Sequence, residues 1–395
     1  MRVRNQASIL VAGALALVLA AVVAVSWAAT GDITFIENQT DGAGGVAGLG
    51  SPDDVTVAGD GKNVYATGSD TGDGLVTFKR NSSNGKLTFL NVRVDGSNGV
   101  TDMEAPVNVV ASPDGRSIYV TSANSQAVAI FKRDSGNGKP SFVGSMVNDE
   151  HGIHGMEQPY DLAASPNSKN LYVTNDGDNG GVATFKRNKQ SGKLTFVNRK
   201  PTGGSADTMA VSADGRSVYV VSLDDNSITT FKRNKKNGKL KQVQVRTDGA
   251  NGVTDFANPY QPVVSGDGKN VYIGAYESEA LVIFNRDKQS GKLTFADSIL
   301  DEGNNLPLVD AYDEVVSDDG KNVYVSFYDN DQVSGVDTFK RNTSNGKLTF
   351  VSAVRDDPPD VAIGGAWRIA ISPDDKSLYT ANYSDNSVAL FRRAK

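Results

Sequence analysis

"PVNVVASPDGRSIYVTSANSQAVAIFKRDSGNGKPSFVGS", residues Pro106–Ser145, is one unit of a repeat that fills most of the chain. It breaks into four short runs rich in Val, Ile, Tyr, Phe and Thr: "VNVVAS", "IYVTS", "AVAIFKR" and "PSFVG". Turn residues separate them. "SPDGR" joins the first two, and its Gly115 can take the positive φ that a tight hairpin needs. "GNGK" joins the last two. Strands of this composition, linked by hairpin signals, make one antiparallel sheet of four strands, here called a, b, c and d.

The tyrosine of strand b recurs at Tyr65, Tyr119, Tyr172, Tyr219, Tyr272, Tyr324 and Tyr379, at spacings of 54, 53, 47, 53, 52 and 55 residues. Repeats of about 50 residues with four strands each mark the blades of a β-propeller. No helical periodicity competes with that reading. The last repeat stops at "VALFRRAK" and lacks strand d. The segment "GDITFIENQTDG", Gly31–Gly42, matches the d pattern "GKLTFVNRK" of Gly192–Lys200. The N-terminal strand is therefore expected to complete the last blade beside Val388–Phe391, leaving no open edge at the seam. Leu240–Gln242 is the poorest d match, having lost its Phe. The expected fold is all-β: a seven-bladed β-propeller of four antiparallel strands per blade, one domain over residues 29–395.

Residues 1–28 have a different character. Arg2 and Arg4 precede an apolar run from Ala7 to Val25, and Ser26 and Ala28 place small residues before a cut after Ala28. This is the plan of a secretory signal peptide. The run is also long enough for a retained membrane anchor; the small residues favour cleavage. The expected location is extracytoplasmic: secreted, periplasmic or cell surface. No later segment reads as a membrane span. Cysteine is absent, which excludes disulfide staples, cysteine metal sites and a thiol nucleophile. The net charge of −6 does not favour nucleic acid.

The pattern "SPDGK-VYV…V-F-R…GKLTFV" resembles the seven-bladed lactonase-like propellers, a group that includes 6-phosphogluconolactonases, carboxymuconate-cyclising enzymes and exported proteins with "YVTN" repeats. The likeness is clearest in "GGAWRIAISPDDKSLYTANYSDNSVALFRR", Gly364–Arg393. It implies a site at the mouth of the central channel, where the family's enzymes place a His, a Glu and arginines. Arg368 stands at an expected arginine, with Trp367 in place of the usual Pro. The family's His, which follows a Pro at the head of a strand a, is replaced by Tyr160 after Pro159. The place of the family's Glu carries Phe327 and Tyr328.

Two histidines are present, His151 and His154, in the d–a loop "NDEHGIHGMEQPY". With Glu150 and Glu157 nearby they form a candidate acid–base group. The candidate catalytic set is His151, His154, Glu157 and Arg368. An H-x-x-H pair without a third strong ligand does not make a zinc site. "NDGDNGG" (Asn175–Gly181) and "YDNDQ" (Tyr328–Gln332) concentrate Asp and Asn, so calcium is the candidate ion, although b–c turns favour the same residues. No organic cofactor is expected, since the phosphate-cradling and dinucleotide signatures are missing from the chain.

Charge sorts by position in the repeat. The a–b turns and c–d segments carry most of the Lys and Arg, and lie on one face of the disc; the b–c turns and d–a loops on the other face are acidic. Fields of opposite sign steer partners of opposite charge. The favoured reading is a binding scaffold with two oppositely charged faces, its partner a polysaccharide, another cell-surface component or a protein. The alternative is a lactone hydrolase at the channel mouth, with a His as general base and an Arg holding the oxyanion.

Overall fold

Strand b is the innermost part of each repeat in packing terms. Ser117–Ser122 is buried at all six positions, as are Asn63–Gly68, Asn170–Asn175, Ser217–Ser222, Asn270–Ala275 and Ser377–Asn382. Such a strand is covered on both faces, which explains its unbroken Val, Ile, Tyr and Thr content. The computed structural model describes residues 30–70, 74–150, 152–176, 180–300, 308, 311–329 and 333–395. The segment read as a signal peptide, His151, and parts of both candidate calcium loops lie outside these residues.

The described strands form seven four-stranded antiparallel sheets. Blade 1 is Val55–Val57, Asn63–Gly68, Gly74–Arg80 and Leu87–Val94. Blade 7 is Ala366–Ile371, Ser377–Asn382 and Ser387–Arg393, completed by Ile33–Thr40 from the N-terminal end. In that closure Phe35 pairs with Phe391 and Gln39 with Val388. The ring closes as its sequence pattern predicts. Blade 4 also keeps its d strand: Gln242 faces Phe231 where the other blades pair two Phe rings, such as Phe131 with Phe142 at 5.5 Å.

The cores lie between blades. Between blades 7 and 1, Tyr379, Ala381, Val388 and Leu390 pack with Val55, Val64, Val76 and Phe78. Each boundary also carries one polar lock. The Tyr119 hydroxyl donates to the Gly192 carbonyl at 2.7 Å and accepts from Arg187 Nε at 2.6 Å. The same guanidinium bonds both Asp114 oxygens at 2.7 and 2.9 Å. Equivalent Tyr–Arg pairs recur at all seven boundaries. The Asp partner recurs at six; at the boundary of blades 3 and 4, Asn167 takes its place beside Arg233.

Gly31 makes the boundary of blades 6 and 7 equivalent to the others. Its carbonyl accepts from the Tyr324 hydroxyl at 2.6 Å, the role Gly192 plays for Tyr119. Its φ is +94°, and a Cβ there would strike Asn322 at 2.2 Å. A glycine is therefore required on two counts. The chain begins its first described strand on the same template as every other d strand.

Candidate functional site

Strand a of each blade lines the central axis. One register position there carries Asp54, Asn108, Asp161, Thr208, Gln261, Asp313 and Arg368 in blades 1 to 7. Three of these carboxylates tie one blade to the next. Asp54 accepts the Val109 amide at 2.8 Å, Asp161 that of Met209 at 2.6 Å, and Asp313 that of Ile369 at 2.9 Å. Arg368, 4% exposed, donates to Gln261 Oε1 at 2.7 Å and lies 5.3 Å from the centre of the Tyr260 ring.

Arg368 acts on four buried carboxyls, Asp54, Asp161, Asp313 and Glu314, and burial raises all four against its pull. Burial pushes Asp54 up to about 8, with Arg368 opposing and Asp313 and Asp161 adding to the rise. Burial likewise lifts Asp313 to about 6, against the pull of Arg368. Asp161 is raised for the same leading reason. Asp53, one residue before Asp54 and nearer the opening, rises to about 6 through burial, opposed by Ser69 and Arg368. Of these, Asp54, at about 8, lies above neutral.

Aromatic rings cap this cluster on the face of the d–a loops. Tyr312 and Trp367 stack at 4.6 Å with 17° between planes. Tyr260 meets Tyr312 edge-on at 5.2 Å, and Tyr383 lies 5.9 Å from Trp367. The Tyr160 and Tyr260 hydroxyls bond each other. Tyr383 is 41% exposed, one of two large hydrophobic residues so exposed among those described. Tyr260 and Tyr312 are buried, so the rings that reach the channel mouth are Trp367, partly exposed, and Tyr383, both of blade 7.

The residues singled out in the sequence do not all meet here. Arg368 is central. Glu157 borders a groove of about 440 Å³ that also reaches Gln126, Tyr160 and Asp176, so it lies at the rim near blades 2 and 3. His154 pairs with Asp149 at 2.9 Å with three quarters of its side chain in solvent. No described contact joins His154 to Arg368. Among the described residues, no cluster of His, Asp or Glu is arranged to hold a metal ion.

Asp54, Asp161, Asp313 and the aromatic cap were not among the sequence candidates. Their signal was present: aligned by blade, the seven a segments carry a polar residue at this one position in every copy. Seven of the bases assigned to the basic face also have another role. Arg80, Arg133, Arg187, Arg233, Arg286, Arg341 and Arg393 are 3–6% exposed and serve the blade locks.

The profile of the seven-bladed lactonase β-propeller family matches residues 19–153, 144–256, 209–308 and 271–395. The chain belongs to that family. It is similar in fold to a putative 6-phosphogluconolactonase from Bacteroides uniformis, at 17% identity and TM-score 0.63, over 77% of this chain and 85% of that one. It is also similar to the periplasmic gluconolactonase of Pseudomonas aeruginosa, at 21% identity and TM-score 0.62, over 81% and 93%. Hydrazine synthase of Kuenenia stuttgartiensis shares the fold at 17% identity and TM-score 0.63, over 90% and 99%. No curated protein matches the chain.

Proposed function

We propose that the protein is an exported binding propeller that holds a neutral sugar ring at the mouth of its channel. The observation that carries this reading is the aromatic pair at the mouth, the partly exposed Trp367, backed by the buried Tyr312, and the exposed Tyr383. Flat aromatic faces suit the apolar side of a sugar ring, and a few convergent polar groups beneath them fix its orientation. Arg368 is already committed to Gln261 and to the field of the buried carboxyls, which weighs against capture of an anion.

A second reading rests on the family and on Asp53. A carboxyl raised to about 6 beside an arginine is suited to draw a proton from water at neutral pH. In that reading Asp53 activates water against a lactone carbonyl, and Arg368 offsets the charge that develops on oxygen.

One experiment separates the two. The chain has two tryptophans, Trp27 and Trp367, so residues 30–395 retain Trp367 alone. Its fluorescence then reports directly on the mouth. Titration with neutral saccharides is expected to change it saturably, gluconate is expected to have little effect, and added gluconolactone is expected to hydrolyse at the buffer rate. Lactone hydrolysis above that rate, abolished by Asp53→Asn, would replace the binding reading with the catalytic one.

A further inference from the structure

The face opposite the channel mouth carries a separate constellation. In blade 1, Lys62, Lys79 and Lys86 are all exposed at the ends of the a–b and c–d hairpins. The first place is Lys or Arg in all seven blades. The second is basic in six, with Asn285 in blade 5, and the third in six, with Asp32 in blade 7. These side chains remain after the seven buried lock arginines are set aside. The lock aspartates on this face are paired with those arginines, and Arg187, beside Ser112, holds Asp114 below its usual range. Glu37 and Asp297 each engage one lysine, Lys86 at 2.7 Å and Lys347 at 3.1 Å. Asp134, Asp287 and Asp318 are the exposed acids that dilute the field.

The bases converge where neighbouring blades meet. A notch of about 470 Å³ between blades 3 and 4 is lined by Lys169, Lys186, Lys189 and Lys236. A second, of about 230 Å³, between blades 7 and 1 is lined by Lys376, Arg392 and Lys395. The two notches share no lining residue, and each is of headgroup size. The large exposed hydrophobics among the described residues, Val245 and Tyr383, belong to the outer edge of blade 4 and to the channel mouth. The basic face therefore offers charge without an apolar wedge. Gly31 lies on this face, in the c–d position of the seam, and the apolar run Ala7–Val25 ends six residues before it.

From this arrangement we propose that the basic face docks on an anionic phospholipid bilayer, with lipid phosphates in the inter-blade notches and the channel mouth turned away from the membrane. A flat disc face meets a flat bilayer, and each lysine brought to an anionic surface adds attraction that decays within a Debye length. The position of Gly31 gives the same orientation to a chain that keeps its N-terminal run in the bilayer.

The test uses residues 30–395, which hold every described strand and both sides of the seam. The protein is expected to co-sediment with vesicles of phosphatidylcholine and phosphatidylglycerol at low salt. It should stay in solution with phosphatidylcholine alone, and high salt should release it. A triple variant Lys186→Glu, Lys189→Glu, Lys236→Glu, with an unchanged melting temperature, is expected to lose affinity by about a hundredfold. Should that variant fail to fold, Lys376→Glu with Lys395→Glu at the second notch provides the same reading. Equal binding to both vesicle types, undiminished binding by the folded variants, or retention by dextran sulfate without retention by vesicles would each overturn the proposal.

Discussion

Two seven-membered rings run through this molecule, and they are conserved in opposite ways. The ring of blade locks repeats its chemistry, with Tyr, Arg and a turn glycine at every boundary and Asp at six. The axial ring repeats only its geometry. Its seven positions hold three Asp and one each of Asn, Thr, Gln and Arg. A residue that closes the fold is needed at each boundary, so all seven copies keep it. A residue that shapes a ligand site is needed once, so the copies diverge. Differences between the repeats therefore point to the site, while their likeness describes the scaffold.

The sharpest way to break this contrast is to remove the strand that closes the lock ring. Deleting residues 30–40 takes away the d strand of blade 7 and the Gly31 carbonyl that receives Tyr324. It exposes Ser387–Arg393 as an open edge, a template for aggregation. The expected outcome is loss of cooperative unfolding by circular dichroism, with aggregates in gel filtration. Next comes Arg187→Ala, whose side chain is fully buried. It leaves Asp114, Tyr119 and Ser117 without their shared donor, and is expected to cost about 3 kcal/mol in urea denaturation. If Arg187→Ala is neutral, the lock ring is not what holds the blades together.

The axial ring is expected to answer to pH instead. A carboxyl whose folded pKa is raised binds its proton more tightly in the folded state. Its contribution is full below the unfolded value and declines as pH rises toward the folded one. For Asp54 that window runs from about 4 to about 8. The lock aspartates act in the other sense. Asp114, Asp214, Asp267, Asp319 and Asp374 are lowered, so their contribution is complete above the unfolded value and they are silent between pH 5 and 8. Stability should fall across that interval, with a slope of up to about 1.4 kcal/mol per pH unit for each retained proton. Asp54→Asn keeps an oxygen for the Val109 amide and removes the proton, so the slope should flatten. An unchanged slope by differential scanning calorimetry would mean that the axial carboxyls are ionised in the folded protein.

The same contrast explains what could be read before the structure. The blade count, the phase of the strands and the split seventh blade were all legible, because each signal occurs seven times. Gly31 was visible as the start of a d pattern; its service to Tyr324 was not, because that contact joins residues far apart in the chain. Arg187 looked like surface charge on a hairpin, since burial by a neighbouring blade leaves no local mark. The histidine loop drew attention through residue type alone, and His154 turned out to face solvent beside Asp149. Asp54 and Asp313 were hidden for the opposite reason: each is an Asp among many, beside a second acid, Asp53 or Glu314, and only alignment of the seven blades picks out its position.

The smallest expected effect on stability is also the one that most directly tests the division of labour. Trp367 lies on the axial side, half-exposed, and takes no part in a blade lock. Its loss removes the stack on Tyr312 and the contacts with Tyr260 and Tyr383. Aromatic pairs of this kind contribute about 0.5–1.5 kcal/mol each. Trp367→Ala is therefore expected to lower the melting temperature by only a few degrees. It should also abolish saccharide binding measured by calorimetry, since the substitution removes the fluorophore. Trp367→Phe keeps a ring to stack on Tyr312 and should recover part of the affinity. A large loss of stability in Trp367→Ala, or full binding by it, would mean that the aromatic cap belongs to the scaffold, and that divergence between repeats does not by itself locate a site.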